Sequence, residues 1–237
     1  MSKEDKYQEI VHKMHSCDKC RGLVINRSKV VHGRGDLNAD LMIVGEAQGA
    51  REDMVRYPFC GDAGEMLHKA LAKLMEEQKH AIIERKVSNN GKIYEHPGIY
   101  ITNIVKCRPP NNRAPEKEEC ERCIKHLYEE IKLIRPKVVL TLGNTATKAI
   151  LPGNRDDFRI TRDRNKVHYL TGRDNGEKFT YRVIPEVHPS FILRQKGDNQ
   201  VGWKWRLWES LRKAAHLSGI RHDDEFEELE VQRLNNF

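Results

Sequence analysis

Two short cysteine pairs, Cys17-Asp-Lys-Cys20 and Cys120-Glu-Arg-Cys123, stand in a chain that has six cysteines, the others being Cys60 and Cys107. Thiolates at this spacing are soft ligands that converge on one centre, so the chemistry they suggest is a Zn(Cys)4 site or an iron–sulfur cluster. Spacing alone favours zinc on Cys17, Cys20, Cys120 and Cys123. Plain packing thiols are the weaker alternative, because two such pairs among so few cysteines are unlike chance. Structural disulfides are disfavoured in the reducing compartment expected for this chain.

A second set of residues carries acid–base and stacking chemistry: Gly45-Glu-Ala-Gln-Gly49, Glu52-Asp53, Pro58-Phe-Cys-Gly61, Asn103-Ile-Val-Lys-Cys-Arg-Pro-Pro110 with Asn112-Arg-Ala-Pro115, and His188-Pro-Ser-Phe-Ile-Leu-Arg194. Each alone has a bland reading. A Gly-Glu turn can merely close a strand, an Asn can cap, and a His before Pro is usually structural. Together they offer a carboxylate, an aromatic ring, an amide and an imidazole to a single crevice.

The elements that must position them are legible as alternating periodicities. Leu41–Val44, Ile99–Val105, Val138–Leu142 and Tyr181–Val187 read as β-strands. Apolar residues at helical spacing run from Ala63 to Met75 and from Cys120 to Ile134. Near-continuous apolar strands alternating with helices predict an α/β fold with a central, mainly parallel four-stranded sheet. Ligands of such sheets sit beyond the carboxyl ends of the strands, where the motifs fall. Residues 79–97 and 153–180, with Ser88-Asn-Asn-Gly91 and Asp174-Asn-Gly176, read as surface hairpins decorating the domain. Val201–Leu217 reads as a last helix whose tryptophans pack on the core. One domain is expected over 1–218, followed by an acidic C-terminal tail, 219–237.

Composition narrows the function classes. The 237 residues carry 42 Lys+Arg against 35 Asp+Glu, a net charge of +7, with a mean hydropathy of −0.74. No apolar run approaches the ~18–20 residues that cross a bilayer, and no apolar leader opens the chain. A soluble cytoplasmic protein is expected. The mild basic excess has the sign a phosphate-bearing partner would want.

The ordered ensemble of C-x2-C, the G-E-A-x-G loop, P-F-x-G, N-x-V-K-C-R-P-P with N-R-x-P, a further cysteine on the next helix, Leu142-Gly-Asn-Thr-Ala146 and H-P-S resembles the family 4 uracil-DNA glycosylases. The resemblance runs from the first cysteine pair to about Arg194. It implies an α/β/α sandwich and a [4Fe–4S] cluster on Cys17, Cys20, Cys107 and Cys123, with Cys120 a bystander or substitute. It implies excision of uracil from DNA by a monomer associated with the nucleoid. Phe59 would stack on the flipped base, Asn103 would read its edge, and Ala47 and Glu52 would lie beside it, Glu52 excluding the thymine methyl. His188 would stabilise the departing uracil, while Glu46 would orient water or stabilise the sugar cation, its alternative being only to brace the loop. Lys106, Arg108, Arg113 and Arg194 are the expected phosphate contacts, their alternative being simple solvation, with Leu193 as a wedge.

Three departures from the family pattern stand out: Gln48 where proline is usual, Cys60 where a small aliphatic residue is common, and longer hairpins. Two other readings remain open. One is a non-turnover relative that binds or covalently traps uracil-DNA; the other is a zinc-stabilised nucleic-acid-binding module.

Overall fold

A computed structural model describes residues 1–77, 83–87, 91–153 and 156–221. In chain order the elements are α1 (Lys3–His15), α2 (Arg21–Asn26), β1 (Arg34–Gly35), β2 (Leu41–Ala47), α3 (Ala50–Val55), α4 (Asp62–Glu77), β3 (Ile83–Val87), β4 (Gly91–Glu95) and β5 (Ile99–Val105). They continue with α5 (Lys117–Ile134), β6 (Val138–Leu142), α6 (Asn144–Ile150), α7 (Ile160–Asp163), β7 (His168–Asp174), β8 (Glu177–Glu186), α8 (Pro189–Leu193) and α9 (Gly197–Ser218).

The four expected strands form the parallel centre of one sheet, in the order β5-β2-β6-β8. Short β1 and the longer β7 add antiparallel edges, so the sheet has six strands. β5 and β6 are buried throughout, β2 through its first five residues and β8 largely from Tyr181 onward, because helices cover both sides. One core joins α1, α5 and α6 to the sheet through Met14, Leu127 and Val44; the other joins α4 and α9 through Leu67, Leu71 and Leu211. This is the three-layer sandwich.

The two interruptions differ in kind. β3 and β4 pair with each other apart from the main sheet, with Val87 opposite Gly91; the turn residues Ser88-Asn89-Asn90 lie outside the described residues, as does the acidic tail from His222 onward. The segment 153–180 is no decoration, however. It supplies β7, which turns into β8 through Asn175 (φ 47°) and Gly176 (φ 85°). Two consecutive left-handed residues give the twist a tight hairpin needs, and Asn-Gly tolerates them. The polar alternation of β7 follows from its place at an edge with one face wet.

Candidate functional site

The parallel strands all end on one side, and the loops that follow them enclose a cleft of about 760 Å³. Glu46 and Ala47 reach it from the end of β2, Asn103 from β5, His188 from the turn after β8, and Phe59 from the loop before α4. Four sequence-distant motifs thus share one wall.

Small residues make this convergence possible. Phe59 has left-handed backbone (φ 53°), rare for an aromatic residue, and any side chain at Gly64 would collide with its carbonyl. Gly45 faces Asn103 across the β2–β5 register. A Cβ at Gly45 would strike both the Asn103 amide oxygen and the Phe59 ring. Ring and amide therefore meet over a bare stretch of backbone. The Phe59 ring also lies against the His188 imidazole, with centroids 5.7 Å apart and planes 28° from parallel.

Polar commitments separate workers from braces. Asn103 is buried, and among the described residues its Oδ1 has no hydrogen-bond donor. An orphaned buried acceptor costs about 1–3 kcal/mol, which a ligand N–H in the cleft would relieve. His188 accepts from the Ser190 backbone N–H at its Nδ1 (3.2 Å), with the Ser190 hydroxyl 2.9 Å from the same nitrogen. A nitrogen that accepts from an amide carries no proton, so the neutral ring holds its proton on Nε2 as a donor. Burial, and then the charge of Arg194, lower the His188 pKa to about 4. The imidazole is neutral at physiological pH.

The two loop glutamates divide differently from expectation. Glu52 accepts from the backbone N–H groups of Gly49 (3.1 Å) and Gly61 (2.8 Å). Both oxygens are used to clamp the β2 loop to the Phe59 loop. Glu52 stands in the cleft wall, where it also braces the two loops. Among the described residues no hydrogen bond or ion pair engages the Glu46 carboxylate, which faces the cleft uncommitted.

The expected phosphate contacts are only partly brought together. Arg113 and Arg194 line the cleft, although Arg113 is held by Glu119 (2.8 and 2.9 Å) and Glu116 (3.1 Å). Arg108 donates to Asn112 Oδ1 at 2.8 Å, and Leu193 ends α8 with 39% of its surface exposed. Lys106 is a correction. It is 1% exposed, with Nζ 2.6 Å from both Glu130 and Thr102. An ion pair sealed in the core cannot meet a phosphate; removing either partner would leave a buried charge uncompensated.

Two supports were not foreseen. Glu186 at the end of β8 is fully buried, accepts from the Val187 N–H (2.7 Å) and holds Arg164 (2.8 Å), fixing the strand end from which His188 projects. Arg159, Ile160 and Thr161 also line the cleft, from the segment read as decoration; a run of mixed charge gave no periodic signal for them.

Cys107 follows β5, Cys123 lies on α5, and Cys17 and Cys20 precede α2, Cys20 as its N-cap. Burial raises the Cys107 thiol pKa first of all, with Cys17 and Cys20 close enough to add to it; burial likewise raises Cys123 to about 12, with Cys107 and Cys17 contributing. Arg27 donates to Cys107 Sγ (2.9 Å) and the Lys106 N–H to Cys123 Sγ (3.4 Å). Such donors favour thiolates and suit sulfur-ligated metal. Cys120 is raised to about 12 by burial and then by Glu46. Among the described residues no three His, Cys, Asp or Glu are drawn together as a ready site for one ion. Cys60 is buried beside the cleft loops. Gln48 is buried too, donating to the Val31 carbonyl at 3.2 Å. No helix among the described residues is long and apolar enough to cross a membrane.

Residues 32–212 match the model of the uracil DNA glycosylase superfamily. The chain is 33% identical over 197 residues to the type-4 uracil-DNA glycosylase of Thermotoga maritima, covering 83% of this chain and 88% of that protein. It is 34% identical over 192 residues to the type-4 enzyme of Archaeoglobus fulgidus, covering 80% and 84%. A type-5 uracil-DNA glycosylase of Pyrobaculum aerophilum is 36% identical over 162 residues, covering 61% and 69%.

Proposed function

The chain belongs to the uracil DNA glycosylase superfamily, and from that membership we propose that it repairs DNA by flipping out uracil and hydrolysing its N-glycosidic bond to leave an abasic site. The observation that carries the base assignment is the orphaned Asn103 Oδ1 beside the Phe59 ring. Uracil offers the missing donor, its N3–H, and its O4 can accept from the same amide. Cytosine reverses that pattern. Extrusion of the nucleotide costs a few kcal/mol and opens its edge to this reading.

Once the base is seated, Phe59 stacks on it and Ala47 borders it. As the glycosidic bond lengthens, negative charge grows on uracil and positive charge on the sugar. The preset His188 Nε2–H supports the uracil O2, needing no net charge because it is already oriented. Glu46 receives or orients the water on the sugar side. Arg194, Arg113 and Arg108 meet phosphates, and Leu193 fills the gap left by the flipped base. A single domain over 1–218 holds every one of these groups, so a monomer suffices.

Cys17, Cys20, Cys107 and Cys123 would hold a [4Fe–4S] cluster, whose contribution is to tie the N-terminal segment to the strand that presents Asn103; hydrolysis transfers no electrons. The N–H donors on Cys107 and Cys123 support this set. Purified protein should be brown with broad absorption near ~400 nm. Cys107→Ser should lose the colour and Cys120→Ser keep it; colourless protein with one zinc per chain would refute the assignment.

The decisive base-reading experiment is Asn103→Asp. A carboxylate against uracil O4 both removes a donor and adds repulsion, a loss of about 3 kcal/mol and so ~10²-fold in single-turnover excision. A gel assay on a uracil oligonucleotide with alkaline strand cleavage measures it. An unchanged rate would show that Asn103 does not read the base.

A further inference from the structure

The first turns of α9 carry a surface that uracil excision leaves unused. Of its tryptophans, Trp203 and Trp208 are half-buried, Trp203 lying edge-on to Phe191 with centroids 5.1 Å apart. Trp205 is different. Its surface is 60% exposed, and Val201, one turn earlier on the same helix face, is 65% exposed. Exposed Lys204 and Arg206 adjoin Trp205 in sequence, the Arg206 guanidinium stacking 4.6 Å from the Trp203 ring centre, and exposed Arg194 and Lys196 occupy the connection from α8. Among the described residues no ion pair engages these four cations, and Asp198 is the one acid in the stretch 193–206.

This surface is continuous with the cleft. Gln200 donates to the Ile192 carbonyl (3.3 Å), and Phe191, against which Trp203 packs, lines the cleft together with Arg194. Surfaces that hold single-stranded nucleic acid combine an open aromatic face, on which a base stacks, with cations that follow the backbone. A paired base hides its faces in the duplex; an unpaired one does not. Trp205 lies eight residues into α9, about 12 Å along its axis, a span that an unpaired strand, more extended than the ~3.4 Å per nucleotide of a duplex strand, crosses in fewer than four nucleotides.

We propose that the Val201–Trp205 face of α9 docks an unpaired DNA flank of the uracil-bearing strand, with one base stacked on the Trp205 indole and phosphates on Lys204 and Arg206. The inference rests on the uracil-excision reading and adds to it a single-strand contact several nucleotides from the flipped base.

The test is anisotropy titration of the full chain with single strands bearing a non-hydrolysable deoxyuridine analogue, one with about eight flanking nucleotides on each side and one with about two. Trp205→Ala should weaken binding of the long strand at least ~5-fold, the lower range for one stacked base. Trp205→Phe should retain near-wild-type affinity, the trimmed strand should not distinguish the three proteins, and saturated single-turnover excision should be unchanged. Equal affinity of wild type and Trp205→Ala for the long strand overturns the proposal. So does an equal loss on both strands, or a wild-type dimer that Trp205→Ala dissolves in sedimentation. If wild type excises no uracil while the affinity pattern holds, the excision reading fails and the strand contact stands.

Discussion

His188→Ala should lower single-turnover uracil excision by ~10²–10³-fold, the range for one preorganised donor at a developing oxyanion, while binding of uracil-DNA changes little. The Ser190 N–H fixes the tautomer, Glu186 fixes the strand end, and the proton on Nε2 is therefore aimed before substrate arrives. Affinity rests mainly on phosphate contacts elsewhere. The pH profile adds a second check. With its pKa lowered to about 4 by burial, His188 stays neutral through the pH 5–7 range where an ordinary imidazole titrates. Below about pH 4 a proton on Nδ1 would oppose the Ser190 N–H and release the ring, so the histidine-dependent acid limb belongs near pH 4 and not near 6.5.

Folding shares this direction, which fixes the control. His32, His68 and His96 are also lowered by burial, to about 4, 3 and 4. For each, the unfolded chain binds a proton at higher pH than the folded one. Their contribution to stability is complete above about pH 6.5 and is lost as pH falls through the folded values. Circular dichroism beside the rate measurement separates loss of catalysis from acid unfolding. A limb near 6.5 in folded protein would show that His188 is not held as described.

Much of this architecture could be read from residue order. Strands buried on both faces leave unbroken apolar runs, so β5 was readable to its end residues, Ile99 and Val105. The site motifs were readable because strand ends place them together by topology. What escaped depends on partners that local pattern does not encode. Lys106 sits in a basic-looking motif, yet Glu130, on a helix of another layer, draws it into the core. Glu52 resembles any loop carboxylate until Gly49 and Gly61 bring their N–H groups to it. β7 looked like ornament because an edge strand alternates as an isolated hairpin does. Trp205 shares its helix with packing tryptophans, and only the side of α9 it occupies exposes it.

The same contrast between committed and uncommitted carboxylates makes Glu46 the most consequential position in the cleft. Glu52 already performs the bracing that was the alternative role for Glu46, and Glu46 keeps its oxygens for the substrate. Glu46→Gln preserves size and hydrogen bonding while removing the charge and basicity, so excision should fall by ~10²–10⁴-fold, the range for a positioned general base. Uracil-DNA affinity and thermal stability should remain near wild type. Glu52→Gln should behave oppositely, lowering the melting temperature, because a weaker acceptor loosens two loops at once. The wild type must meanwhile release free uracil over many turnovers and leave an abasic site without a lasting adduct. A denaturation-resistant protein–DNA adduct with no free uracil would identify a trapping relative instead. Wild-type rates in Glu46→Gln would mean that the water is oriented by another group, and the sugar side of the mechanism would have to be rebuilt without this carboxylate.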